Sequence, residues 1–158
     1  MSLSTELAAL FRRELTRLIQ ELTAFPHQSA LWARVEGVTN STGNLALHLE
    51  GNLREYIGRQ LGNVPYVRQR DLEFTSTGLP VQEVISRIEA VQDLVPRVVS
   101  NLSSDDLDGV YPEQVLAAPL STRQFLIHLL GHLSYHLGQV DYLRRVLTHG
   151  NAIPFVGL

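Results

Sequence analysis

Three histidines recur every four residues near the end of the chain. They are His128, His132 and His136, in the run QFLIHLLGHLSYHLGQ over 124–139. One turn of α-helix is 3.6 residues, so the spacing predicts a ladder of imidazoles on one helical face. Leucines share that face, which predicts that the ladder turns toward a core. Imidazoles on an apolar face are costly without partners, and a divalent metal ion is the partner that engages two rings at once. His48, flanked by Leu45, Leu47 and Leu49, adds a further inward imidazole from a different segment. Alone, each of these histidines reads as a hydrogen-bonded core residue. Several converging from two helices are hard to satisfy separately.

Other metal chemistries can be tested against the residues. A zinc-protease pattern needs Glu directly after the first His, and Leu133 stands there. Bundle di-iron sites need Glu three residues before each ligand His, and Leu45, Leu129 and Leu133 stand there. Both patterns fail. Neutral imidazoles with open coordination positions remain, the arrangement of a catalytic rather than a structural zinc site. The chain has no Cys, and all 13 of its Lys and Arg residues are Arg. Disulfides, thiolate ligands, a cysteine nucleophile and a Schiff-base lysine are therefore excluded. Thiol chemistry would need an external thiol. Asn52, Tyr56, Tyr135 and Gln139 are close enough in sequence to orient ligands or substrate, or else are ordinary helix surface and core. Trp32 and Tyr66 fall in long loops with Arg34, Arg68 and Arg70. They either cover the site or pack over a bundle end. Arg68 and Arg70 either hold an anion or pair internally through Asp71.

Four helical segments must position these groups. Apolar residues recur at helical spacing over 4–25, 42–61, 80–101 and 122–149. Asn40, Ser41 and Thr42 offer N-caps, Ser121 with Gln124 fits a capping box, Pro26 ends the first segment and Gly150 the last. In the second segment His48, Asn52 and Tyr56 stand one above another. Pro96 predicts a kink in the third. With no alternating strand pattern, the expected architecture is an all-α four-helix bundle, a single domain over 1–158. The connections are long enough for a crossover and exceed the usual lengths. The formal net charge of −3 argues against a nucleic-acid surface. No apolar run suffices for a membrane span, and no secretion signal opens the chain. A cytoplasmic location is the default expectation.

Two stretches resemble a known family. The run 40–53, NSTGNLALHLEGNL, is similar to the second-helix signature of the DinB/YfiT-like proteins. The run 129–144 is similar to their last-helix signature, a His-x-x-x-His pair followed by x-Gly-Gln. The resemblance covers nearly the whole chain. It implies an up-down-down-up bundle, one divalent metal per subunit, with zinc or nickel foremost, and frequent homodimers. It implies His48, His132 and His136 as ligands, and the Gly138-Gln139 match leaves His128 one turn outside. Many relatives carry Arg where this chain has Leu137. Some relatives are thiol transferases using mycothiol, bacillithiol or glutathione. The leading expectation is therefore a metal that activates a low-molecular-weight thiol for transfer to a small electrophile. Metal-assisted hydrolysis is a second reading, disfavoured by the lack of a carboxylate near the three histidines. A non-enzymatic stress-associated metal module is a third.

Overall fold

The apolar spacing and the caps set the main helices. The computed structural model describes residues 2–154. Helix α1 spans Leu3–Thr23, with the Ser2 hydroxyl accepting from the Thr5 amide. Between α1 and the next long helix lies a short α2, Gln28–Trp32. Helix α3, Thr42–Leu53, is capped by Ser41 and runs on as a π-helical turn, Arg54–Arg59. A short α4 covers Arg70–Thr75. Helix α5, Val81–Ser100, continues through Pro96. A short α6 spans Ser104–Asp108. Helix α7, Thr122–Thr148, opens on the expected Ser121–Gln124 capping box. Its end differs from the sequence expectation. His149, not Gly150, takes the left-handed conformation, at φ 53°. The Arg144 side chain holds this end down by donating to the Asn151 carbonyl at 2.9 Å and to Glu21.

The four long helices form the bundle, with α1 and α3 each packed between α5 and α7. Helices α3 and α5 run in the same direction: Glu50 meets Arg87, Gly58 meets Leu94 and Gly62 meets Val98. Helix α7 opposes them, since His48 meets His132 while Tyr56, farther along α3, meets Phe125. Parallel neighbours need a crossover, and the segment carrying α4 supplies it. Phe11, Leu15, Leu18, Leu49, Leu53, Ile57, Val91, Leu126, Leu129 and Leu133 fill the centre, all essentially inaccessible. Each such side chain contributes about 1.5–3 kcal/mol through apolar burial.

Helix α3 is buried on every side over Thr42–Leu53, which a surface helix of a four-helix bundle is not. Its outer side is covered by α2 and α4. Two glycines make room for the cover. A Cβ on Gly43 would stand 2.6 Å from the Trp32 ring, and one on Gly51 would stand 2.1 Å from the Glu73 carboxylate. Trp32 is pinned by its indole N–H, which donates to the Leu79 carbonyl at 2.9 Å. Trp32 thus packs over the bundle rather than lidding a site. The π turn leaves its own mark: the Gly62 amide reaches back to Ile57 at 3.0 Å, and the Tyr56 carbonyl accepts the Tyr111 hydroxyl at 2.7 Å.

Candidate metal centre

Antiparallel packing of α3 and α7 brings His48, His132 and His136 together. One nitrogen from each lies within 4.8 Å of the others. The Nε2 atoms of His48 and His132 are 3.2 Å apart. The His136 ring stands edge-on to both, with centroids at 5.2 Å and 4.6 Å. His128 does not join them. It is exposed and stacks on Phe125 with centroids 5.8 Å apart. The expectation that the whole ladder faces the core is corrected here: its first ring turns to solvent, and His132 and His136 are half-buried. The ladder leans across the α3–α7 seam because Leu129, Leu133 and Leu137 occupy the inward positions.

Hydrogen bonds set the tautomers. His48 Nδ1 lies 2.9 Å from Glu73 Oε2, and a carboxylate only accepts, so the proton sits on Nδ1 and Nε2 offers a lone pair. His136 Nδ1 lies 2.7 Å from Gln139 Oε1, with the same consequence. Glu73 is held in turn by Arg68, through Nε to Oε1 at 2.6 Å and Nη2 to Oε2 at 2.8 Å. Burial pushes the Glu73 carboxyl up, but the hydrogen bonds from His48 and Arg68 outweigh it and hold the group below its ordinary value. Burial, helped by His136 and His48, lowers His132 to about 4. Burial also lowers His136, against the hydrogen bond to Gln139. The rings of His132 and His136 are thus neutral at pH 7, the form that ligates metal.

The donor set fits a divalent metal ion. The His48 and His132 Nε2 atoms, 3.2 Å apart, are close enough to share either a proton or a cation. At a metal–nitrogen distance of about 2.1 Å, that separation subtends about 100°, near the tetrahedral angle. His132 Nδ1 is buried with no hydrogen-bond partner among the described residues. With the proton on that Nδ1, the His132 Nε2 lone pair faces the other two rings and is available to a metal ion.

The remaining sequence candidates separate clearly. Gln139 orients His136. The Tyr135 ring is edge-on to His136 at 5.1 Å. Asn52 is buried, with its Oδ1 unpartnered. Tyr56 packs on Phe125, with the Arg68 guanidinium 5.5 Å from its ring. Leu137 belongs to the core. Arg68 pairs with Glu73 rather than Asp71. Arg70 lies over the Phe74 ring at 5.3 Å, and Arg34 is exposed. Tyr66 is partly buried, which raises its pKa. Sequence reasoning missed Glu73. It lies 25 positions from His48, in what read as a loop, and the only hint was Gly51 at a helical position. The premise that no carboxylate approaches the histidines is therefore corrected, although Glu73 is committed to His48 Nδ1 and Arg68.

Residues 6–149 match the family model of mycothiol-S-transferase. The chain belongs to the mycothiol-S-transferase family. That family performs metal-dependent transfer of mycothiol to electrophiles, and the three-histidine cluster is the feature of this member suited to it. The chain also resembles the crystal structure of a DinB-like protein from Bacillus cereus. The TM-score is 0.69 at 14% identity, over 94% of this chain and 92% of the other. This likeness shows the DinB-like fold and with it the up-down-down-up order. No curated protein matches the chain. Among the described residues, no helix is long and apolar enough to cross a membrane.

Proposed function

We propose that the protein transfers a low-molecular-weight thiol, mycothiol in the first place, to a small electrophile at a divalent metal held by His48, His132 and His136. The observation that carries this reading is the convergence of three imidazoles, two with tautomers fixed so that Nε2 is free. A bound divalent ion supplies positive charge that lowers the pKa of a thiol at its open positions. The chain itself contributes the orientation. Glu73 and Gln139 lock the rings of His48 and His136, Arg68 keeps Glu73 ionised, and burial keeps His132 uncharged. In the transfer the thiol gives its proton to solvent water, a sulfur lone pair forms the new S–C bond, and the electrophile's leaving group departs with its bonding pair. The absence of Cys keeps the protein from competing for its own electrophile. Zinc and nickel both suit an imidazole set. The resemblance also supports a homodimer, for which light scattering should give about twice the 17.7 kDa chain mass.

The test uses cobalt-substituted protein. Millimolar mycothiol should produce a sulfur-to-cobalt charge-transfer band, and His48→Ala should abolish or shift it. An unchanged spectrum with full cobalt occupancy would refute thiol transfer. Full metal retention after dialysis in all three single His→Ala variants would place the metal elsewhere.

A further inference from the structure

A helix on the outside of a bundle normally presents polar residues to water. The outer faces of α1 and α5 do so, with Glu6, Arg12, Glu83, Glu89, Asp93 and Arg97 exposed. Helix α7 does not. Its Ile127, Tyr135, Tyr142 and Val146 are 53%, 65%, 67% and 56% exposed, and Gly131 and Gly138 stand exposed among them. The six positions recur every three or four residues and share a sector of about 100°, opposite the buried Leu129, Leu133, Leu137 and Val140. They form one stripe about 28 Å long. Arg145, at its edge, lies over the Tyr142 ring at 5.4 Å and pairs with Asp141 at 3.6 Å.

The two glycines are notches in this stripe that the subunit itself does not use. A Cβ at Gly131 or Gly138 would meet nothing within 4 Å among the described residues, and neither glycine has a positive φ. Glycine weakens a helix interior, so its presence here points to a neighbour outside the subunit. The stripe is complementary to itself. A second α7 laid antiparallel, centred midway between Tyr135 and Gly138, sets Tyr135 against Gly138, Tyr142 against Gly131 and Ile127 against Val146. Two-fold symmetry repeats each contact, and every ring enters a notch. A parallel copy sets Tyr on Tyr and Gly on Gly and leaves the notches empty, against the close packing of protein interfaces.

We propose that two copies of this chain pair about a two-fold axis through the outer face of α7, the tyrosines of each seated in the glycine notches of the other. The proposal rests on the homodimer reading above and adds the face and the register. The exposed parts of the four apolar side chains amount to on the order of 400 Å² per copy. With Val38, 39% exposed beside Tyr135 and Tyr142, and the helix backbone at the glycines, the pair buries on the order of 1,000 Å², enough for a specific interface. The interface also borders the histidine cluster. Tyr135 stands edge-on to His136 at 5.1 Å, and Gly131 precedes His132, so Tyr142 of the second copy comes to the edge of the site.

The test is sedimentation of the zinc-loaded full chain, with helix content and zinc stoichiometry measured in parallel. Alanine is small enough to keep two helices close, so the notch is closed with a longer, charged side chain. Wild type should sediment as a dimer at micromolar concentration. Gly138→Glu and Tyr142→Glu should each raise the dimer dissociation constant at least about 100-fold at unchanged helix content and zinc stoichiometry. Because the chain has no Cys, introduced thiols report the register. A mixture of Ile127→Cys and Val146→Cys proteins, treated with a short bis-maleimide, should give a cross-linked dimer that neither protein gives alone. A dimer that survives both Glu variants, with no cross-link in the mixture, would overturn the face and leave the homodimer reading standing. Cross-linking of either Cys protein by itself would overturn the antiparallel register. A wild type that stays monomeric at millimolar concentration would overturn the homodimer reading and the interface together, and would leave the stripe to a different protein.

Discussion

Replacing Gly51 by Ala sets two effects of opposite sign against each other. Gly51 lies inside α3, and helix propensity alone makes Ala there more stable by about 1 kcal/mol. The new Cβ, however, would lie 2.1 Å from Glu73 Oε1 and 2.8 Å from its Cδ. Ordinary contact requires the carboxylate to retreat by roughly 1 Å. Arg68, on a flexible stem, can follow. His48 cannot follow without leaving His132, so its 2.9 Å bond to Glu73 stretches to about 3.9 Å and ceases to be a hydrogen bond. Loss of one hydrogen bond to a charged group costs about 1.5–3 kcal/mol, which exceeds the propensity gain. The net expectation is a destabilisation of about 0.5–2 kcal/mol. Freed from its orienting carboxylate, the site should bind metal about 10–100-fold more weakly. Urea denaturation of the metal-free protein measures the first effect, and competition for zinc with a chromogenic chelator the second. Gly131→Ala is the control: a Cβ there meets nothing within 4 Å, so the same exchange in α7 should stabilise by up to about 1 kcal/mol. A Gly51→Ala protein that behaves like the control in stability, with wild-type zinc affinity, would refute the role assigned to Glu73.

Three further outcomes are expected. His128→Ala should leave zinc stoichiometry at the wild-type level and change stability by no more than about 0.5 kcal/mol, as for an exposed side chain; metal analysis and thermal melting check this. Arg144→Met should cost about 3 kcal/mol by denaturant titration, because it strands the buried Glu21 carboxylate and frees the Asn151 carbonyl. Burial already raises the pKa of Glu21, so the loss should shrink toward acid pH, where that group protonates. Metal-free protein should lose stability as pH falls from about 6.5 toward 4. His132 has a folded pKa of about 4 against an ordinary 6.5, so the unfolded chain binds the extra proton in this window. The contribution is fully present above pH 6.5, and a series of melts read at fixed ionic strength should show its loss.

Much of the bundle was legible because helical periodicity and capping are local. Leu45 through Ile57, the Ser121–Gln124 box and the His132–His136 pair each announce themselves within two turns. The missing parts are those that depend on distant chain segments. Glu73 acquires its role only when α4 folds back over α3, and no spacing rule links it to His48. The outward turn of His128 follows from which leucines α7 buries, a choice made by packing against α3. The short helices α2 and α4 lacked the length for a periodic signal. Their partners were visible only as glycines, Gly43 and Gly51, at positions where helix propensity would prefer almost any other residue.

The π-helical turn over Arg54–Arg59 amounts to one surplus residue in the helix that carries His48. It advances everything downstream by roughly 100° relative to an unbroken α-helix. It also exposes the Tyr56 carbonyl that Tyr111 grips from the start of the α6–α7 connection. Alignment of this helix with an uninterrupted one therefore demands a gap in the turns after His48. Without that gap, Tyr56 is matched to the wrong neighbour and the tether to Tyr111 has no counterpart. In evolutionary terms the turn is a phase boundary. Residues before it answer to the histidine cluster, and residues after it answer to the loop that closes the opposite end of the bundle.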